Sequence, residues 1–166
     1  MARCRSSDPA SGQVQAGPQL NVAPFSNAVL RMQFYIAGPL PEGNNDWFSF
    51  NWLYAPQPFT LEGQQVYDSR YQLPIGWNYF EMRRLQQPVT NVSVDRSVYY
   101  AVSGKWHSLE IATHQPRTEV WLDGKQVMEY EDPKPLPPGA FGIEAWLQDP
   151  KVKLFFDDIV ICGAPQ

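Results

Sequence analysis

Four short segments between Gly104 and Cys162 alternate apolar with polar residues, and tight turns separate them. They are Trp106-His107-Ser108-Leu109-Glu110-Ile111, Glu119-Val120-Trp121-Leu122, Phe141-Gly142-Ile143-Glu144-Ala145-Trp146-Leu147 and Leu154-Phe155-Phe156-Asp157-Asp158-Ile159-Val160-Ile161. A period of two places alternate side chains on opposite faces of a strand. The Asp123-Gly124 pair after the second segment tolerates the positive φ of a tight hairpin turn. No amphipathic helical stretch intervenes, so the pattern predicts an all-β chain folded as an antiparallel β-sandwich.

The remainder adds strands to that plan. In Val29 to Ile36, Leu30, Met32, Phe34 and Ile36 share one face, and Arg31, Gln33 and Tyr35 the other. Trp47 to Tyr54 carries an aromatic face of Phe48, Phe50, Trp52 and Tyr54; its apolar uniformity assigns it to the core, since an exposed stripe of that kind invites aggregation. Further strands are expected at 65–68, 77–85 and 97–102, with an edge strand at 20–22. The loops at 38–46 and 55–65 are rich in turn residues or in Gln and Pro. Residues 1–18 are small and polar and read as a flexible lead-in, leaving 19–166 as a single domain.

Composition narrows the functions. The 166 residues suffice for one domain with a core between two sheets, and 43% hydrophobic content excludes wholesale disorder. A formal charge of −4, without a basic stripe, argues against a nucleic-acid partner. No apolar run reaches the ~18–20 residues of a membrane span. The first residues lack the apolar segment of a secretory signal. The chain is therefore read either as a mature or excised domain of an exported protein, extracellular or periplasmic, or as a cytoplasmic one. Cys4 and Cys162 lie near opposite ends, where they either bridge adjacent terminal strands or remain two thiols. Asn91-Val92-Ser93 fits the N-glycosylation triplet, a motif common by chance.

The run from Gly104 to Ile161 resembles the closing strands of concanavalin A-like lectin/glucanase domains. Within them it is most similar to laminin-G-like carbohydrate-binding modules and the domain of bacterial 3-keto-glycoside hydrolases. The matching elements are Trp106-His107 opening a strand, Leu122-Asp123-Gly124-Lys125 at a hairpin, Gly139 to Gly142 before the next strand, and Phe156-Asp157-Asp158-Ile159 near the end. The family's usual opening strand, a Trp followed by an Asp-Gly hairpin, is missing. The resemblance implies a jelly roll with one concave sheet whose outward residues contact sugar. This sandwich serves lectins, binding modules, glycosidases, lyases and adhesion domains alike, so function must be argued from the site.

On that concave sheet the strand at 77–85 is the expected site. Tyr79, Glu81 and Arg83 align on one face with Trp77, while Phe80 and Met82 face inward; Asn51 and Trp146 flank them. Flat aromatic surface for pyranose rings and planar polar groups for hydroxyls are what sugar recognition needs. The competing reading is an ordinary solvated sheet face. The Glu-x-Asp-x-Glu pattern of laminarinase-type relatives is absent, and Glu81 has no carboxylate two residues away on either side, so Glu81 is the catalytic candidate only if the chain is an enzyme. Glu110 and Glu144 stand on separate strands and could meet only across a sheet. His107 and His114 form no metal-ligand spacing, and no nucleophile elbow or phosphate loop occurs. By the resemblance, Asp157 or Asp158 would hold a structural calcium ion; the alternative is one carboxylate in solvent and one accepting a backbone hydrogen bond at a bulge.

The expectation is thus a non-catalytic domain that binds a polysaccharide or glycoconjugate, on the concave sheet or its rim loops, within a larger assembly of modules. A glycoside hydrolase or lyase, and a structural or adhesion module, are the alternatives.

Overall fold

A computed structural model describes residues 3–6, 24–38, 47–55, 59–61, 63–66, 68–76, 80–87, 90–97, 103–147, 149 and 151–163. Within them the strands are β1 (Arg3–Ser6), β2 (Asn27–Ala37), β3 (Trp47–Ala55), β4 (Phe59–Leu61), β5 (Gln64–Val66), β6 (Asp68–Gly76), β7 (Glu81–Gln87), β8 (Thr90–Arg96), β9 (Trp106–His114), β10 (Arg117–Leu122), β11 (Lys125–Glu131), β12 (Ala140–Trp146) and β13 (Lys153–Gly163). The order β1-β13-β2-β9-β10-β11 makes a six-stranded sheet, β12-β3-β6-β7-β8 a five-stranded one, and β4-β5 a small hairpin. Neighbouring strands run antiparallel throughout. The expected all-β sandwich is what the chain forms.

Alternation decides which residues are sealed between the sheets. The six-stranded sheet contributes Leu30, Met32, Phe34 and Ile36 from β2, Leu109 and Ile111 from β9, and Val120 and Leu122 from β10. The five-stranded sheet answers with Phe48, Phe50 and Trp52 from β3, Tyr71, Leu73 and Ile75 from β6, Met82 from β7, and Phe80 immediately before it. Phe34 couples the layers, its ring centroid 5.6 Å from Phe48 and 5.9 Å from Phe50. Offset and edge contacts of this kind add to the area the rings bury.

Several elements depart from the sequence pattern. Leu53 adopts a φ of 51° at an irregularity in the β3–β6 pairing and is fully buried. That bulge turns Tyr54, expected in the core, toward the outer face, where Arg70 lies 5.7 Å over its ring. β6 and β8 fill stretches to which the sequence pattern assigns no strand beyond Asp68, and Asn91-Val92-Ser93 lies within β8. Inside the segment read as a lead-in, β1 pairs with β13 and sets Cys4 opposite Cys162. Cys162 is disulfide-bonded, and Cys4 is the chain's other cysteine. The edge strand expected at 20–22, and residues 77–79 and 98–102 of the strands expected at 77–85 and 97–102, lie outside the described residues.

The Asp-Gly turn forms as expected, with φ of 52° at Asp123 and 76° at Gly124. Asp123 does more than turn the chain. Its carboxylate accepts from the Ser108 amide at 3.0 Å and lies 2.9 Å from Nδ1 of His107. His107 is buried and stacks on Phe34 at 5.2 Å. This histidine is a core residue with a polar anchor.

Candidate functional site

Opposite the core, the five-stranded sheet carries a continuous polar row. Residues paired across antiparallel strands share a face, and the register links Glu144 to Ser49, Asn51 to Gln72, Gln72 to Arg83, and Arg83 to Ser93. Arg70 and Asp68 share the face with Gln72 because they differ from it by even steps along β6. All five strands therefore contribute to one polar surface.

The row is internally bonded. Gln72 Nε2 donates to Ser49 Oγ and to Glu144 Oε2, each at 3.3 Å. One Arg70 nitrogen, Nη2, lies 3.4 Å from both Asp68 Oδ2 and Glu144 Oε2. The two carboxylate oxygens are consequently no farther apart than twice that distance. Arg83 donates to Glu81, and Ser93 Oγ donates to the other Glu81 oxygen at 3.3 Å. Burial pushes the Asp68 carboxyl above the usual range; Arg70 opposes the shift and the nearby Glu144 charge adds to it.

Hydrogen-bonding capacity is left over. Asn51 Oδ1, Asp68 Oδ1 and Arg70 Nε are buried and have no partner among the described residues. Asn51 is 4% exposed and Gln72 5%. Two free acceptors and a free donor on one face are an uncommon concentration, since buried polar atoms are almost always paired.

Of the residues expected at the site, Glu81, Arg83 and Asn51 lie on this face, and Phe80 and Met82 are sealed in the core. Glu81 is itself buried, and Arg83 half-buried. Trp77 and Tyr79 fall outside the described residues. Trp146 pairs in register with Trp47, and its side chain is likewise outside them. Glu110 and Glu144 do not meet: Glu110 sits on the six-stranded sheet in an ion pair with Arg31. Sequence reasoning missed Asp68, Arg70 and Gln72. The signal was the alternation of Arg70 and Gln72 with Tyr71, Leu73 and Ile75, which Pro74 obscured because proline weakens a strand reading.

Asp157 and Asp158 lie on β13 in the other sheet. Asp157 Oδ1 accepts the Asp158 amide at 2.8 Å, beside a bulge in the β13–β2 pairing, and Asp158 Oδ2 accepts from Gln33 Nε2 at 3.0 Å. Among the described residues no group of three or more His, Cys, Asp or Glu side chains is placed to hold a metal.

Residues 10–162 match the 3-keto-alpha-glucoside-1,2-lyase-like domain family. No curated protein matches the sequence. Among solved structures, the chain is similar to a Bacillus subtilis protein of unknown function with a galectin-like fold (TM-score 0.68, 10% identity, covering 97% of this chain and 88% of that one). It is also similar to the carbohydrate-binding module CBM66 of Bacillus subtilis (TM-score 0.59, 10% identity, 90% and 78% covered). A third is the beta-glucanase of Bacillus licheniformis (TM-score 0.58, 8% identity, 87% and 69% covered). At these identities the likeness is one of fold.

Proposed function

From the membership of this chain in the 3-keto-alpha-glucoside-1,2-lyase-like domain family, we propose that it is a carbohydrate-recognition domain. It holds a polysaccharide or glycoconjugate on the outer face of the five-stranded sheet without cleaving it. The observation that carries this reading is the unspent hydrogen-bonding capacity of Asn51 Oδ1, Asp68 Oδ1 and Arg70 Nε. A sugar hydroxyl both donates and accepts, so glycan hydroxyls can meet acceptors and donors of this kind where the three side chains turn toward the open face. Glu81 and Arg83 orient the glycan farther along the row, and Trp77, Tyr79 and Trp146 keep the stacking role that the sequence assigns them. The disulfide at Cys162 favours an oxidising place of work, extracellular or periplasmic.

Affinity electrophoresis against soluble polysaccharides tests the reading. Retardation of the protein, weakened by Arg83→Ala and by Glu144→Gln, is expected. Retardation that neither substitution alters, or none across the panel, rejects it.

One observation favours a second reading. Asp68 and Glu144 converge on one Arg70 guanidinium nitrogen, and burial pushes the Asp68 carboxyl above its usual range. Two carboxyl groups brought this close suit acid–base work. Cleavage of a 3-keto-disaccharide by the purified protein, abolished by Asp68→Asn but not by Glu81→Gln, would replace binding with catalysis.

A further inference from the structure

The outer face of the six-stranded sheet carries an arrangement that the proposed site does not use. Register places Tyr35 between Trp106 on β9 and Phe155 on β13. Their rings form a row, with Tyr35 at 5.5 Å from Trp106 and 6.1 Å from Phe155. Trp106 and Phe155 are each 47% exposed, more than any other described aromatic residue. Bridging three strands, the row is about 10 Å long at the ~4.8 Å strand spacing.

Two residues farther along the same strands the face becomes polar. Gln33 is paired in register with Ser108, and Arg31 with Glu110. These four, with Trp121 and Asp158, line a cavity of about 460 Å³. Several of its polar groups are planar and paired with each other: Arg31 Nε lies 2.6 Å from Glu110, and Gln33 donates to Asp158. A cleft of this size suits a small ligand.

We infer that this face is a second carbohydrate site, which stacks a neutral oligosaccharide along Trp106, Tyr35 and Phe155 and seats one end in the cavity against Trp121. Charge narrows the class of ligand. Arg31 is offset by Glu110, and Lys153, two residues before Phe155 on β13, partly offsets Asp157 and Asp158. The face has no surplus of cations to hold an anionic glycan or a nucleic acid, whereas hydroxyls find acceptors. Aromatic rings supply the surface for the apolar faces of pyranoses, and the cavity supplies polar groups for their edges. The inference shares the sugar chemistry of the proposed function but rests on other residues.

Titration of the ¹⁵N-labelled protein with neutral glucose hexasaccharides of α-1,4, β-1,4 and β-1,3 linkage tests it. The Trp106 and Trp121 indole N–H resonances, assigned with Trp106→Phe and Trp121→Phe, are the readout. Both resonances are expected to move with one of the hexasaccharides. Trp106→Ala and Phe155→Ala are each expected to weaken that binding about fivefold, while Trp106→Phe retains most of it. Both rings are exposed, so thermal midpoints near the wild-type value will show that the variants fold. Hexasaccharide binding that leaves both indole signals in place overturns this site and leaves the five-stranded sheet as the binding face. Shifts that Trp106→Ala does not weaken overturn it too, as does the absence of binding by every hexasaccharide. Conversion of a dimer to a monomer by Trp106→Ala would instead assign the face to a second copy of the chain.

Discussion

The Tyr71 hydroxyl on β6 donates to Oδ2 of Asp132, a carboxylate 2% exposed in the segment that follows β11. Arg84 Nε approaches the same oxygen at 2.7 Å and Arg84 Nη2 donates to the Lys134 carbonyl at 2.9 Å. The cluster ties the five-stranded sheet to the chain leaving the six-stranded one. Removing one member of a buried pair leaves the other charge uncompensated. Asp132→Ala is therefore expected to cost about 3–5 kcal/mol, and Tyr71→Phe only about 1–2 kcal/mol, in urea unfolding at pH 7. Burial and the Asp132 hydrogen bond push the Tyr71 hydroxyl far above its usual range. Because its folded pKa is raised, the stability it confers is intact below about pH 10, where the unfolded tyrosine titrates, and is lost above. Tyr71→Phe should fall less steeply than wild type on the alkaline side.

Asp123 and Asp68 are expected to pull the acid side in opposite directions. Burial raises the Asp123 carboxyl, but the Ser108 amide, His107 and Lys105 together outweigh it and hold the net value below the usual range. Its contribution is present above the unfolded carboxylate pKa and disappears as pH falls through the folded one. Asp123→Asn should thus be less stable than wild type at pH 7 and indistinguishable from it at pH 2. Asp68, raised mainly by burial, loses its contribution as pH rises. Asp68→Asn should gain on wild type between pH 3 and pH 7. Unfolding midpoints at these pH values check both signs, and Asn tolerates the positive φ at position 123.

Legibility followed the strength of local patterning. Leu30 to Ile36 and Leu109 to Ile111 alternate cleanly and face the core as read. Phe48, Phe50 and Trp52 also obey parity, and the pattern fails at the next residue because Leu53 takes a left-handed conformation no alternation rule anticipates. β6 went unread although Tyr71, Leu73 and Ile75 alternate, since Pro74 signals a break. The site was half legible for the same reason. Glu81 and Arg83 sit on a strand of clear parity, whereas Arg70 and Asp68 come from the hidden strand, and their meeting with Glu144 depends on a sheet order that no local pattern contains.

The disulfide at Cys162 should dominate the response to reductant. With Cys4 opposite it in the β1–β13 register, the cross-link closes a loop of nearly the whole chain. Restricting the unfolded ensemble by so long a loop contributes about 4–5 kcal/mol. Cys162→Ser should lower the urea unfolding free energy by that amount and abolish its sensitivity to dithiothreitol. An equal dithiothreitol response in variant and wild type would show that the bridge does not form.

Gly139 and Gly124 should answer the same substitution differently. A Cβ on Gly139 would stand 2.6 Å from both the Leu53 carbonyl oxygen and the Tyr54 nitrogen, and backbone atoms cannot swing aside. Gly139 is also fixed to Phe25 by reciprocal backbone hydrogen bonds of 3.0 and 3.1 Å. Gly124 has a φ of 76° but open space around it. Gly124→Ala should therefore cost only the backbone term, about 1 kcal/mol, while Gly139→Ala adds steric overlap and should cost about 3 kcal/mol. The second effect reaches the site. Displacing Leu53 and Tyr54 moves the ring beneath Arg70, whose guanidinium holds Asp68 and Glu144. Gly139→Ala is expected to weaken glycan retardation at temperatures where it remains folded. Equal losses of stability in the two variants would show that the close approach at Leu53 relaxes freely and does not govern where Arg70 sits.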